Sequence, residues 1–161
     1  MKKEKLISVI IPSYNRKEFI EKAIDSVLIQ SYKNIEIIVV DDASQDGSVD
    51  FLKTKYNQIP NITIYSNKKN LGAGESRKIG YSKSKGEYII FMDDDDYYTN
   101  NQFFAKAINI LENRENISFV SSNSIIEYVK ENKKKSRYYE YKRRNKWIKI
   151  FIFFSTKIQK K

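Results

Sequence analysis

Four consecutive carboxylates, Asp93-Asp94-Asp95-Asp96, follow directly on the apolar run Tyr88-Ile89-Ile90-Phe91-Met92. A run of strand-favouring side chains is driven into a core, so the acids must emerge together at one strand tip. Adjacent carboxylates repel one another. Held ionised in a pocket they need a compensating charge, and all-oxygen ligands of this kind suit a divalent cation such as Mg²⁺ or Mn²⁺. Taken alone, the same run also reads as a solvated acidic turn.

Composition narrows the chemistry. The 161 residues suit one domain with a substantial core, and 40% hydrophobic and 14% aromatic content fit a folded chain. Cysteine and histidine are both absent from the sequence. That excludes disulfides, thiolate metal sites, the usual zinc ligands and any Ser-His-Asp catalysis, and leaves carboxylates as the available bases. The formal charge of +10 is localised: residues 130–161 carry 13 Lys and Arg against Glu131 and Glu140, a net of +11, and residues 1–129 carry 17 basic against 18 acidic groups, a net of −1. The main domain therefore has no basic face for nucleic acid, and any anionic partner belongs to the tail. With Tyr138, Trp147, Phe151 and Phe154 among its charges, that tail is expected to make peripheral membrane contact or to be a disordered or hairpin segment. No secretory leader is readable, because the apolar run 6–11 meets Pro12, and a cytoplasmic protein is the expectation.

The elements that must position the acids read in alternation. Residues 6–11 form a strand expected to stop at Pro12; Asn15 and Glu18 are spaced as a capping box opening a helix with Phe19, Ile20, Ala23, Ile24, Val27 and Leu28 on one face. A second strand, 35–40, ends in Asp41-Asp42; a short helix follows around Val49, Phe51, Leu52 and Tyr56, and a third strand covers 62–65. A helix entered through Asn70-Leu71-Gly72 is expected to end before Gly86 acting as a left-handed terminator. Gly72 and Gly74 are a weak phosphate signal, since Arg77 stands where a dinucleotide fingerprint has its third glycine. After the acidic strand, Thr99 and Gln102 are spaced as a second capping box, before a helix bearing Phe103, Phe104, Ala107, Ile108 and Leu111. Residues 117–120 read as strand-like, 125–129 as a possible hairpin arm, 130–135 as a charged linker and 136–141 as a possible strand. The expected boundaries are a domain over 1–129 and a basic aromatic tail, or the start of a further region, over 130–161.

Strand–helix alternation implies a three-layer α/β/α domain with a mostly parallel sheet. Ligands of such sheets bind beyond the carboxyl ends of the strands, and those ends read Ser13-Tyr14-Asn15, Asp41-Asp42, Ser66-Asn67 and residues 93–96. A nucleoside diphosphate would use that rim: Tyr14 offers a stacking face, Asp41 accepts a base N–H, and a cation bridges Asp93 or Asp95 to the diphosphate.

At these residues the chain resembles the inverting family 2 glycosyltransferases of GT-A fold. The resemblance rests on Val9-Ile10-Ile11-Pro12-Ser13-Tyr14-Asn15, on Val39-Val40-Asp41-Asp42-Ala43-Ser44-Gln45-Asp46-Gly47, on Asn70-Leu71-Gly72 with Ser76-Arg77-Lys78-Ile79-Gly80, and on Lys85-Gly86-Glu87-Tyr88 running into the acids. It implies a nucleotide-sugar donor, often a UDP-sugar, a Mg²⁺ or Mn²⁺ ion, and a carbohydrate or lipid-linked acceptor. It also implies that Pro12, Tyr14, Asp41, Arg77 and Asp93 meet the donor and that Asp95, with Asp93, meets the metal. Asp94 departs from the small residue usual between the two acids, and Lys78 from a usual asparagine. Members of the family are longer, with the acceptor site and the catalytic carboxylate in a second half that is not found here, so the domain is expected to be incomplete at its C-terminus and to transfer sugar poorly alone.

Plainer roles stand beside each of these. Asp42, Ser44 and Asp46 read as loop and helix-cap groups, Tyr14 also as core lining, and Arg77 also as an ion-pair partner. A non-catalytic nucleotide-sugar-binding remnant is the alternative function. A calcium loop fits badly, because Tyr98 and Phe104 occupy the positions needing glycine and glutamate.

Overall fold

The computed structural model describes residues 4–114, 117–121, 125–130 and 133–138. The chain runs β1 (Ile7–Ser13), α1 (Lys17–Leu28), β2 (Ile35–Asp41), α2 (Ser48–Tyr56), β3 (Ile62–Ser66), α3 (Ala73–Lys83), β4 (Tyr88–Phe91), α4 (Phe103–Asn113), β5 (Ile125–Lys130) and β6 (Lys133–Tyr138). The first four strands form a parallel sheet in the order β3-β2-β1-β4. Ile7, Val9 and Ile11 face a core completed by Ile20, Ile24, Leu52 and Phe104 from α1, α2 and α4. Ile10, Ile38, Val40 and Ile89 face the other way, onto Ile79 and Tyr81 of α3. Adjacent residues on one strand thus serve opposite helical layers, which is why these strands are largely apolar rather than alternating.

α3 approaches the sheet closely because Gly80 faces it. A Cβ there would lie 2.4 Å from Ile10 Cγ2 and 3.3 Å from Val40 Cγ2. Gly80→Ala should therefore destabilise the fold by about 1–3 kcal/mol through overpacking, although alanine is the better helix former by about 1 kcal/mol. Thermal denaturation decides this, and a raised melting temperature would show that the interface has slack.

Several local expectations give way to contacts from distant residues. Pro12 does not stop β1; it lies within it, opposite Val40. The Ile10 carbonyl accepts the Met92 N–H on the β4 side and the Ser13 carbonyl accepts the Asp42 N–H on the β2 side. By that alternation the N–H that proline lacks would point toward β4, which ends opposite Ile10, so no ladder bond is lost. Asn15 does not cap α1. It adopts φ 51°, and its side chain accepts the Gln45 N–H at 2.8 Å. The α1 N-terminus is instead capped from across the chain by Asp46, whose carboxylate accepts the Lys17 N–H at 2.9 Å and the Ser48 N–H at 3.0 Å. One acid thereby serves two helix starts. Nor do Thr99 and Gln102 form a capping box: Gln102 donates its N–H to Asn100 Oδ1 at 2.7 Å, and buried Gln30 accepts the Phe104 N–H at 3.3 Å. Phe19, expected on the buried face of α1, is 43% exposed.

Gly86 is not in the left-handed region; its role is proximity, since a Cβ would lie 2.5 Å from Ser8 Oγ and 2.8 Å from the Leu6 carbonyl. Residues 117–120 carry no strand. Chain contacts place the sheet and α1–α4 in one compact unit, reaching Val120, and β5 with β6 in a second that starts at Ser121. The second unit is an antiparallel hairpin pairing Ile125 with Tyr138 and Lys130 with Lys133, so the stretch read as a charged linker contributes to both arms, and residue 129 falls inside β5. Residues 139–161, with most of the basic aromatic tail and its expected membrane contact, lie outside the described residues. No described helix is long and apolar enough to cross a membrane.

Candidate functional site

The parallel register lines up Ser13, Asp41 and Ser66 at the carboxyl ends of β1, β2 and β3. Chain order reverses between β1 and β4, and the acids leave β4 at that reversal. Such a point opens a crevice, because the connections from adjacent strands depart to opposite faces.

Asp41 is fully buried. Its Oδ2 accepts the Ser44 N–H at 3.0 Å and lies 3.4 Å from the Ser66 hydroxyl, whereas Oδ1 has no partner among the described residues. An unmatched buried acceptor costs folding free energy, and this oxygen has unused capacity for a donor. Tyr14, at the end of β1, is 45% exposed, so its ring lines the rim rather than the core. Pro12 is buried in β1, beside the strand that carries Asp41.

Asp42, read in the sequence as a cap or loop group, is the hub of the neighbouring loop. Its Oδ1 accepts the Leu71 N–H at 2.9 Å and the Asn67 side-chain amide at 2.8 Å, and its Oδ2 accepts the Gly72 N–H at 2.7 Å. Burial works against its charge, but the bonds from Asn67, Leu71, Gly72 and Ser76 outweigh it and hold the carboxyl below the usual carboxylate range. Gly72 immediately precedes α3, so Asp42 sets where that helix begins and hence where Arg77 stands.

Residues 93–96 form a tight turn, with the Asp96 N–H donated to the Asp93 carbonyl at 3.2 Å. Asp93 and Asp95 are exposed, while Asp94 is 8% exposed and turned inward. Burial holds the Asp94 carboxyl above the usual range, against the pull of the Ser13 hydroxyl. Asp96 is exposed as well, and Asp93 and Asp95, the acids paired in the sequence reading, flank this one inward residue. Each has an arginine beside it: Arg77 donates to Asp93, and Arg16 Nη1 lies 3.8 Å from Asp95 Oδ2. Arg16 was not among the residues singled out in the sequence, where only its place two residues after Tyr14 marked it.

The donor set is all oxygen. Among the described residues no group of three or more His, Cys, Asp or Glu forms a closed metal site. Two exposed carboxylates nevertheless fit Mg²⁺ or Mn²⁺, which keep waters and take phosphate oxygens in their remaining positions.

The family profile described as Glycosyl transferase family 2 matches residues 8–159. The chain belongs to this family. A Haemophilus influenzae protein described as an uncharacterized glycosyltransferase is 36% identical over 126 residues, covering 78% of this chain and 41% of that protein. The Escherichia coli UDP-Glc:alpha-D-GlcNAc-diphosphoundecaprenol beta-1,3-glucosyltransferase WfaP is 39% identical over 124 residues, covering 76% of this chain and 47% of its own. This family 2 chain thus spans less than half the length of either relative. Among solved structures, S. aureus TarS in complex with UDP-GlcNAc superposes with a TM-score of 0.62 at 29% identity, over 66% of this chain and 31% of TarS. The mannosyltransferase PcManGT from Pyrobaculum calidifontis, solved with GDP-Man and Mn²⁺, shares the fold at a TM-score of 0.62 and 24% identity, over 66% of this chain and 32% of its own. Its four-stranded parallel sheet and flanking helices are of the GT-A type.

Proposed function

We propose that this domain binds a UDP-sugar with a divalent cation and presents its anomeric carbon to an acceptor hydroxyl on a carbohydrate or lipid-linked sugar, with inversion. The unpartnered Asp41 Oδ1 at the aligned strand ends carries the reading. A uracil ring offers one N–H donor beside two carbonyls, which suits a single buried acceptor, and the exposed Tyr14 ring gives the base a stacking face. Asp93 and Asp95, one strand away across the β1–β4 crevice, lie toward the diphosphate, where Arg77 adds positive charge. A cation held by these two acids supplies charge stabilisation for the departing diphosphate. Inversion follows when the acceptor attacks opposite the leaving group. The UDP-sugars in the names of WfaP and of the TarS complex support the choice of nucleotide.

The test is titration calorimetry of UDP against the chain in Mn²⁺ and in EDTA. Unneutralised acids repel a diphosphate, so affinity should be at least about tenfold higher with Mn²⁺, a difference of about 1.4 kcal/mol. Equal affinity in EDTA would remove the cation from the proposal. A preference for another nucleoside diphosphate would reassign the role of Asp41.

A further inference from the structure

The two arginines at the rim occupy the outward acids one to one. Arg77 is bonded to Asp93, and Arg16 faces Asp95 at 3.8 Å. Arg16 is fixed at its backbone and half-exposed at its tip. Its carbonyl accepts the Phe19 and Ile20 N–H groups at 3.0 and 3.1 Å, opening α1, and the preceding Asn15 is tied to Ser44 and Gln45. Its side chain is 47% exposed and lies with the guanidinium 5.5 Å from the centre of the Phe19 ring. A fixed backbone with a half-exposed charged end suits a change of partner.

Charge counting says when that change occurs. With neither ligand, Asp93 and Asp95 contribute −2 and the two arginines +2. A divalent cation alone leaves an excess of +2, and the diphosphate of a nucleotide sugar alone leaves −2. Both together restore neutrality, provided that the acids pass to the cation and the arginines to the phosphates. Asp94 and Asp96 add the same charge to every state and drop out of the comparison. Uncompensated like charges at this rim repel, so the fully exchanged state is favoured over either half-filled one.

We infer that Arg16 is a second diphosphate-binding residue of the donor site, held on Asp95 until donor and divalent cation arrive together and then transferred to a phosphate oxygen. This rests on the donor-site reading above and adds to it a role for Arg16 in the coupling between cation and nucleotide. The guanidinium fork suits both partners, carboxylate and phosphate, which makes the exchange a substitution of like bonds.

Calorimetry on the 161-residue chain measures the coupling directly, with Mn²⁺ titrated alone and at saturating UDP, and UDP titrated at saturating Mn²⁺. In the wild type, UDP should raise Mn²⁺ affinity at least about tenfold, within the usual range of coupling between sites. Arg16→Gln frees Asp95, so Mn²⁺ alone should bind several-fold tighter while UDP in Mn²⁺ binds several-fold weaker; these opposite shifts have no counterpart in a merely structural role. Arg16→Lys, which keeps the charge, should restore most of the coupling. If Arg16→Gln leaves Mn²⁺ affinity unchanged, or weakens both ligands alike, the exchange is overturned while the donor site stands. If the wild type binds no UDP even in Mn²⁺, the donor-site reading falls and the exchange with it.

Discussion

Asp42→Ala should lower the unfolding free energy by about 3–5 kcal/mol, the largest loss of stability expected from any single side chain near the site. The substitution removes the acceptor of three bonds, from Asn67, Leu71 and Gly72. A fully buried donor left unsatisfied costs about 1–3 kcal/mol, and because these bonds are half-buried, water recovers part of the sum. Against a total of about 5–15 kcal/mol for a domain, that is a large share. The same bonds give a pH signature. Because the folded carboxyl titrates below its ordinary value, its contribution is present above the unfolded pKa and is lost as pH falls through the folded one. Denaturant unfolding of wild type should therefore weaken below about pH 4, where an unfolded Asp begins to protonate, and Asp42→Ala should flatten that part of the profile. A loss under about 1 kcal/mol at neutral pH would mean that the 67–72 loop is held by something else.

Asp95→Ala should abolish the Mn²⁺ dependence of UDP binding, bringing affinity in Mn²⁺ down to its value in EDTA. Asp95 is an outward acid of the turn with Asp93, and the residue between them, Asp94, is turned inward. In an effective dielectric of about 20, two unit charges 4 Å apart interact by about 4 kcal/mol, so losing one of two cation ligands leaves little to hold the ion against the diphosphate alone. The charge-free isostere Asp95→Asn should behave in the same way. The readout is the difference between titrations with and without Mn²⁺, and retention of that difference by Asp95→Ala would move the cation elsewhere.

Much of this architecture was legible because burial imposes period. The uninterrupted apolar runs of β1, β2 and β4 and the helical spacing of Ile20, Ala23, Ile24 and Val27 in α1 are direct records of which faces are covered. The placing of Asp41 and of the four acids at strand ends was legible for the same reason, whereas the pairing of Asp93 with Asp95 came from the family resemblance. What escaped was long-range hydrogen bonding. A capping box is recognised from a three-residue spacing, yet the Lys17 N–H is met by Asp46, 29 residues further on, and the Phe104 N–H by Gln30, 74 residues back. Pro12 is tolerated inside a strand only because its neighbour is shorter, which no local rule contains. Asp42 and Asp46 were correctly taken for structural groups, but which backbone amides they hold depended on loops meeting in space. Arg16 was missed because an arginine at the start of a helix has no local signature until its acid partner is placed beside it.

The most direct test is a crystal structure of the chain with UDP and Mn²⁺ together. The account predicts uracil against Tyr14 with its N–H donated to Asp41 Oδ1, the metal on Asp95 and Asp93, and the diphosphate in the crevice between β1 and β4. Nucleotide bound away from the strand ends, with Asp41 Oδ1 still unpartnered, would contradict it.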